Sequence, residues 1–436
     1  MTKIKVILDF AKALLEEYAS PIFFMSLLIS ILGLAYNFLL ATTLGIGNTL
    51  DLYLYSLALP MFISALIGGS IQYCLGPKFV MVLSSGSTDI FHKIIRTIMS
   101  IFYGFLVLGL IAVPYQVFVL PTNPQQLVGL DLYALLSISW FSGSIMILTN
   151  CTVAILNSKR RFLTALSLSI YPYLLPAILL FAFGSRISPI LLALVSLISY
   201  CMSLVVSILA IGEHIKWENL KNITDISRET ADALFKTMPT LFCFSSFAII
   251  DAFWATRMSE GSLSILALCQ RVVISTGSLI ITSPYVKIAN DIMTIKHHND
   301  FKIYFKSHFT KLVLMLSALI LAIFIFKDLI ASVLIRNDIT NIRARFTETI
   351  VYLLPGMGFM LLSAVLTKAL YCFPENSFKL PIMGFGWMIL YFIVSMILIP
   401  LDSVGSAIAY SISWLMYLSF CIVLIRKQFN SSRQSQ

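Results

Sequence analysis

The sequence predicts an all-α, polytopic membrane protein with about 12 transmembrane helices in two six-helix lobes. Of its 436 residues, 59% are hydrophobic and 11% are charged, whereas soluble domains have about 25% charged residues. The mean hydropathy is +0.93. Twelve apolar runs recur along the chain, and each covers the roughly 20 residues that a ~30 Å hydrocarbon core requires.

The apolar runs are predicted to be helices, because in lipid every backbone amide must find its partner within its own segment. They are also too long and too evenly apolar for the alternating strands of a membrane barrel. The predicted spans cover residues 20–43, 52–77, 97–120, 129–155, 163–183, 188–211, 233–256, 262–284, 311–335, 347–371, 380–401 and 404–425.

The polar stretch 212–232 divides the spans into two sets of six and is the predicted cytoplasmic linker. It separates an N-lobe at 20–211 from a C-lobe at 233–426. Residues 1–19 mix charged and apolar residues without the apolar core of a signal peptide, which predicts a cytoplasmic amphipathic segment. Residues 427–436 are the predicted cytoplasmic tail.

Each half repeats a short pattern, which indicates a duplication. "GIGNTLDLYLYSLALP" leads into the second span and "SEGSLSILALCQRVV" into the eighth, each through a glycine-containing turn. Two halves in the same orientation are parallel repeats, and in such transporters the substrate site lies between the halves near mid-membrane.

The remaining composition argues against other classes of site. The seven cysteines lie singly in apolar segments, and His297 and His298 are neighbours without a nearby ligand pattern, so no disulfide, metal or cofactor is expected. The net charge of +10 follows the predicted loops, as membrane insertion requires. We therefore expect no nucleic-acid partner.

Four segments resemble the MurJ-type lipid II flippases of the multidrug/oligosaccharidyl-lipid/polysaccharide (MOP) exporter superfamily. "LGLAYNFLLATTLGIGNTLDLYLYSLALP" is similar to that family's first two helices and "AILNSKRRFLTA" to its segment after helix 4. "EGSLSILALCQRV" is similar to the start of its helix 8, and "KALYCFPENSFKLP" to a segment after helix 10. The four occur in the family's order and cover both halves.

The resemblance implies a V-shaped pair of lobes around a cavity that opens to one side of the membrane at a time. It implies a monomeric, non-enzymatic flippase in the bacterial cytoplasmic membrane, with membrane lipid and a polyprenyl-diphosphate-linked saccharide as partners. Such transport makes and breaks no bond, so no cofactor is implied. An arginine fork suits the diphosphate, because it donates to phosphate oxygens in pairs.

Two family positions carry over directly. The family's acid at the start of helix 2 falls on Asp51, which is expected to latch the outer gate; the alternative is an acid that only complements its own helix dipole. The family's helix 8 arginine falls on Arg271, where burial near mid-membrane would be costly without a function. Polar residues share its helical stripe: Ser264, Ser275, Ser278 and Thr282.

The first lobe departs from the family, since the helix 1 arginines fall on Tyr36 and Thr42 and their adjacent acid on Asn37. The basic positions of helix 2 are also uncharged here. We expect Asn37 and Ser275 to bind substrate together with Arg271. The changed lobe favours a saccharide other than that of lipid II, such as an O-antigen, capsule or exopolysaccharide repeat unit.

Other charges and prolines within spans have predicted roles. Asp251 and Arg257 are expected to form an outer latch in the C-lobe, or else to face lipid headgroups. Lys368 is expected to add positive charge to the cavity. Pro60, Pro239 and Pro355 are expected to interrupt the second, seventh and tenth spans and to act as hinges; the alternative is that these spans tolerate proline, as membrane helices commonly do.

Two other classes of function stay open. A cation or drug antiporter of the same superfamily needs a carboxylate buried in a helix, and the first six spans place their acids, Asp51 and Asp131, near helix starts. The second class is a scaffolding protein without transport, in which no polar stripes are expected to converge at mid-membrane.

The charge distribution predicts that both termini are cytoplasmic. Of the 30 Lys and Arg residues, 23 lie in segments assigned to the inside and 6 in segments assigned to the outside, as the positive-inside rule requires. A reporter fused at Thr122, between the third and fourth spans, is expected to lie outside. A cytoplasmic signal from this fusion would reverse the orientation.

Overall fold

The computed structural model describes residues 21–85, 88–119, 130–212, 227–294, 298–335, 340–371 and 378–431. Within these ranges the chain consists of helices and turns, with no strand. The predicted amphipathic segment 1–19, Thr122, residues 213–226 of the linker and the last five residues of the tail lie outside the described residues.

The described residues of the first half of the chain form eight helices. They are α1 (Pro21–Leu44), α2 (Asn48–Ser70), α3 (Gly76–Ser85), α4 (Thr88–Val119), α5 (Leu130–Ser158), α6 (Phe162–Ser167), α7 (Tyr171–Phe183) and α8 (Pro189–Ile211). A π-helical turn at Ile71–Leu75 joins α2 to α3, and a 3₁₀ turn at Leu168–Ile170 joins α6 to α7. The second and fifth predicted spans are therefore continuous rods with a local change of helix type.

The part of the second half that the structure describes forms seven helices. They are α9 (Arg228–Ser245), α10 (Phe247–Ala255), α11 (Ser262–Thr294), α12 (His298–Leu334), α13 (Thr340–Tyr371), α14 (Lys379–Leu398) and α15 (Asp402–Ser431). The seventh predicted span is the pair α9 and α10, which is bent by 53°. The break lies at Ser246 and not at Pro239, which is inside α9. Adjacent Ser245 and Ser246 mark the bend, as short polar pairs do in other kinked helices.

The described helices account for twelve spans. Ten segments are long and apolar enough to cross a membrane, and the bent pair supplies an eleventh. One of the ten runs from Lys379 to Lys427 and contains both α14 and α15, which pack against each other. Its 49 residues are more than twice the length of one crossing. The all-α fold with about twelve transmembrane helices is thus confirmed.

The helices pack mainly within their own half. In the first half α5 packs against α2 and α8, and in the second α13 packs against α11 and α15. The main contacts between the halves come from α1 against α11 and from α2 against α9 and α10, with smaller contacts such as α4 against α9. Large apolar side chains such as Leu110 and Phe181 remain exposed on the outside of the bundle, where lipid would cover them. The interface between the lobes is therefore made by the first, second, seventh and eighth spans.

Candidate functional site

A cavity of about 450 Å³ lies between the two lobes. Its walls come from α1, α2, α5, α7 and α8 on one side and from α9, α10 and α11 on the other. This volume is within the range of small-molecule sites, which are mostly apolar with a few convergent polar groups. The cavity lies where parallel repeats would place a substrate site.

Three of the four residues predicted to bind substrate line this cavity, namely Asn37, Arg271 and Ser275. Arg271 lies nine residues beyond the first residue of α11, or about 14 Å along the helix, and its side chain is exposed to the cavity. Lys368 is half-buried in the last turn of α13 and is not among the lining residues. Among the described lining residues, Arg271 is the one base and Asp251 the one acid.

The first-lobe wall of the cavity is rich in tyrosine. Tyr36, Tyr53, Tyr173 and Tyr200 line it from four different helices. The hydroxyls of Tyr36 and Tyr53 are 3.2 Å apart, and the rings of Tyr36 and Tyr173 have centroids 6.1 Å apart. Arg271 lines the cavity from the opposite lobe. The wall that carries arginines in the resembled family is aromatic and uncharged here.

Asn37 belongs to the same wall. Its Nδ2 donates a hydrogen bond of 2.6 Å to the carbonyl oxygen of Gly33, one turn earlier on α1. This bond uses one of the two N–H donors of the amide and fixes the side chain against its own helix. The amide group therefore faces the cavity in a defined orientation.

Asp251 lies on the second-lobe wall and is 2% exposed. Gln270 donates a hydrogen bond of 2.7 Å from Nε2 to its Oδ2, and the Tyr391 hydroxyl donates to its Oδ1. A buried carboxylate needs such donors, because burial removes its hydration. Both donors are neutral, so the carboxylate charge in this cluster has no cation directly bonded to it.

Arg257, the predicted latch partner of Asp251, has other contacts. Its guanidinium carbon lies 5.7 Å from the ring centroid of Phe253 and 5.2 Å from that of Trp254, which is the geometry of a cation–π contact. Asp251 bonds to Gln270 and Tyr391 instead. The two charged residues therefore have separate partners, and a gating role for them stays a prediction.

Asp51 joins the two lobes. Its carboxylate accepts hydrogen bonds from the backbone N–H of Gly261 at 2.9 Å and of Ser264 at 2.8 Å, and from the Ser264 hydroxyl. These groups form the start of α11, whose first amides have no partner within the helix. Asp51 thus caps a helix of the opposite lobe, where the helix dipole also favours a negative charge.

Glycines at the facing turns allow this close approach. Gly261 has a φ of +78°, a conformation that L-residues rarely adopt. A Cβ atom there would lie 3.2 Å from the Ile46 side chain, and one at Gly47 would lie 3.2 Å from Oε1 of Glu260. The repeated glycine turns of the sequence therefore meet each other across the lobe interface.

A second acid holds the same turn from within the C-lobe. Asp402, at the start of α15, accepts hydrogen bonds of 2.9 Å from the backbone N–H and the hydroxyl of Ser259. Arg345 of α13 donates to Ser262 Oγ at 2.6 Å and lies 3.8 Å from the Asp402 carboxylate. The start of α11 is therefore bound by carboxylates from both lobes.

The opposite end of the interface has a different contact. Lys78 Nζ of α3 is 2.7 Å from Glu229 Oε1 of α9, and the Glu229 side chain is 85% exposed. The backbone N–H of Ser227 also donates to Thr97 Oγ1 of α4 at 3.0 Å. The lobes therefore meet at both ends of the cavity.

Sequence reasoning missed several of these residues. Gln270 next to Arg271 is a polar pair in an apolar span, and Asp402 repeats the first-turn acid pattern of Asp51, so both had a local signal. Tyr391 had none, since aromatic residues are common in every span. The described residues contain no cluster of three or more metal-binding side chains.

Comparisons with protein-family models and with curated proteins find no match to this sequence. Among solved structures, the lipid II flippase MurJ in an inward closed conformation matches with a TM-score of 0.74 and 17% identity, covering 94% of this chain and 89% of that one. An inward-facing MATE family multidrug resistance transporter gives 0.71 and 12%, covering 93% and 96%. A MOP superfamily transporter from Pyrococcus furiosus gives 0.65 and 11%, covering 96% and 98%.

Twelve spans that pack around a cavity between two lobes define a helical, polytopic membrane protein with a central site. The chain has the fold of the MOP superfamily transporters, which is shared by the MurJ and MATE structures. The resemblance noted in the sequence is thereby confirmed at the level of the fold.

The Asp51 cap predicts how the gate responds to mutation. Asp51→Ala removes the acceptor of two helix-start amides, and a lost cap of this kind costs about 1 kcal/mol. In a cysteine-free background with Ala58→Cys in the cavity wall, labelling by a membrane-impermeant maleimide from outside is expected to rise about fivefold.

Asp131→Ala is the matched control, because Asp131 is also a first-turn acid but has an exposed side chain. It is expected to leave the labelling unchanged. Equal labelling of the Asp51→Ala protein and its parent would show that the cap does not hold the gate.

Proposed function

We propose that the protein is a flippase that moves a polyprenyl-diphosphate-linked saccharide across the bacterial cytoplasmic membrane by alternating access. The saccharide is an O-antigen, capsule or exopolysaccharide repeat unit, or a lipid II-like precursor. The observation that carries this proposal is Arg271, a permanent cation exposed to the cavity between the lobes. Deletion of the gene is expected to leave this lipid-linked sugar on the cytoplasmic face.

The chemistry of a diphosphate suits this residue. A guanidinium keeps its proton at physiological pH and offers several N–H donors in one plane, so it binds phosphate oxygens in pairs. A charge in an apolar span costs on the order of 3 kcal/mol, and an anionic ligand would offset that cost. Flipping makes no bond, so no nucleophile or catalytic base is needed.

The cavity volume indicates which part of the ligand enters. About 450 Å³ is the size of a site for a small molecule, and it is too small to enclose a long polyprenyl chain as well. We therefore place the diphosphate and the first sugar in the cavity and the chain in the surrounding bilayer. The Asp51 cap then closes the end that is predicted to face outward.

A second candidate is a cation or drug antiporter, because Asp251 is a buried carboxylate beside the cavity. Such a group can carry the coupling proton or cation of an antiporter. Arg271 disfavours a cationic cargo, since the cargo and the guanidinium would then be two positive charges in one cavity. We therefore assign Asp251 to coupling and the cargo to the anionic class.

Variants of Arg271 test whether the substrate is bound by paired hydrogen bonds from the planar guanidinium or by positive charge alone. Arg271→Lys keeps the charge but loses the paired donors, so it is expected to fail nearly as badly as Arg271→Ala, each by at least about tenfold. The measurement is complementation of the deletion strain at matched membrane abundance. Arg186→Met, at an exposed turn, is the control and is expected to complement fully.

The other outcomes of this complementation experiment also decide the role of Arg271. Rescue by Arg271→Lys alone would leave a role for positive potential without bidentate binding. Full activity of Arg271→Met would remove Arg271 from the substrate site and contradict the proposal.

Asp251 predicts the pH dependence of transport. Protonation of its carboxylate would remove its charge and would reverse or break its bond with Tyr391, while Gln270 can still donate to the other oxygen. The Tyr410 ring lies behind, 6.0 Å from the Tyr391 ring. Asp251→Asn is therefore expected to abolish any stimulation of transport by a pH gradient in proteoliposomes. Asn37→Ala is expected to keep it, and loss of the pH response in Asn37→Ala alone would place coupling in the first lobe.

A further inference from the structure

We propose that the tyrosine wall of the first lobe, formed by Tyr36, Tyr173 and Tyr200, is a subsite for the sugar ring next to the diphosphate. This inference rests on the proposed function and adds to it the residues that recognise the saccharide. It divides the cavity into an anion-binding side at Arg271 and a sugar-binding side opposite.

The three rings are placed to bind one ligand from different directions. They come from α1, α7 and α8, each is half-buried, and each lines the cavity. A half-buried ring has its position fixed by packing and still offers a surface to the cavity. Three rings from three helices make a concave surface and not a flat stack.

Tyr173 has the most defined support. Its ring lies over Gly33 of α1, where a Cβ atom would be 3.7–3.9 Å from the ring atoms. This is ordinary van der Waals distance, so the ring packs directly on the helix. The neighbouring Tyr36 ring packs against it at an interplanar angle of 50°. Two of the three rings are therefore held by contacts with each other and with α1.

A pyranose ring matches such a surface in two ways. Its C–H groups form an apolar face with slight positive charge, which the negative face of an aromatic ring attracts. Its hydroxyls need donors and acceptors at the edges, and tyrosine hydroxyls supply both. Asn37 and Ser196 add an amide and a second type of hydroxyl to the same wall.

Aromatic rings also bind organic cations. The charge of the cavity decides whether a neutral sugar or a cation is the better ligand for this wall. Arg271 lines the same cavity as Tyr36 and Tyr200, so its positive charge disfavours a cation on these rings. A diphosphate at Arg271 would instead place its attached sugar over the same rings. Anion site and aromatic wall are thus contiguous, as a sugar diphosphate requires.

The test compares two probes on the full-length protein in detergent: a short-chain polyprenyl diphosphate and the same lipid carrying N-acetylglucosamine. The wild-type protein is expected to bind the sugar-bearing lipid more tightly. Tyr173→Leu is expected to reduce this preference about fivefold, the contribution of one aromatic contact. Tyr173→Phe keeps the ring and is expected to retain the preference.

Arg271→Met is expected to weaken both lipids to the same extent, because both carry the diphosphate. Tyr133→Leu, which replaces an exposed tyrosine of α5 outside the cavity, is the matched control and is expected to change neither affinity. This pattern separates the role of the ring from a general loss of stability.

Three results would overturn the inference. If the wild-type protein binds both lipids equally, or if Tyr173→Leu weakens both equally, the wall does not recognise sugar, although the proposed function stands while binding depends on Arg271. If neither lipid binds and tetraphenylphosphonium binds in a Tyr173-dependent way, the wall takes organic cations, and the proposed function fails with it.

Discussion

The amide groups at the start of α11 join the two lobes at one end of the cavity. A helix start leaves these donors without partners in its own backbone, and inside a membrane protein they must be satisfied by other groups. Asp51 satisfies them from the first lobe, and Asp402 holds the preceding turn from the second. The position of α11 fixes the depth of Arg271, so the closed end of the cavity and its cationic group are set by one helix.

Two consecutive residues of α11, Gln270 and Arg271, face different parts of the structure. Neighbours on an α-helix point about 100° apart, so Gln270 and Arg271 cannot face the same wall. Gln270 is buried and donates to Asp251 within its own lobe, while Arg271 is exposed and lines the cavity together with tyrosines of the other lobe. A substrate anion at Arg271 and a proton at Asp251 would therefore act on one rigid element, which gives coupling between them a short physical route.

Sequence reasoning located the spans, because their length and apolar character follow directly from the thickness of the bilayer. Asp51 and Arg271 were also identified, since a charge next to or within an apolar run stands out. The bonds of Asp251 were not, because Tyr391 is 140 residues away along the chain and its hydroxyl resembles any other tyrosine of the core. The bend at Ser246 was placed at Pro239 instead, since proline is the stronger local signal and serine breaks a helix only in some contexts. The tyrosine wall depends on the packing of three helices, which spacing along one helix cannot show.

The two ends of the lobe interface are held by different kinds of contact, because the end opposite Asp51 carries the exposed Lys78–Glu229 pair. One end of the cavity is held by carboxylate bonds to amides inside the bundle, which salt reaches poorly. The other is held in part by an ion pair whose glutamate is 85% exposed, and such a pair contributes little and is screened by ions. The two ends of the cavity are therefore closed by contacts of different strength. Under the proposed function, the end at Lys78 and Glu229 is expected to open more readily, and high ionic strength is expected to favour its opening without affecting the Asp51 end.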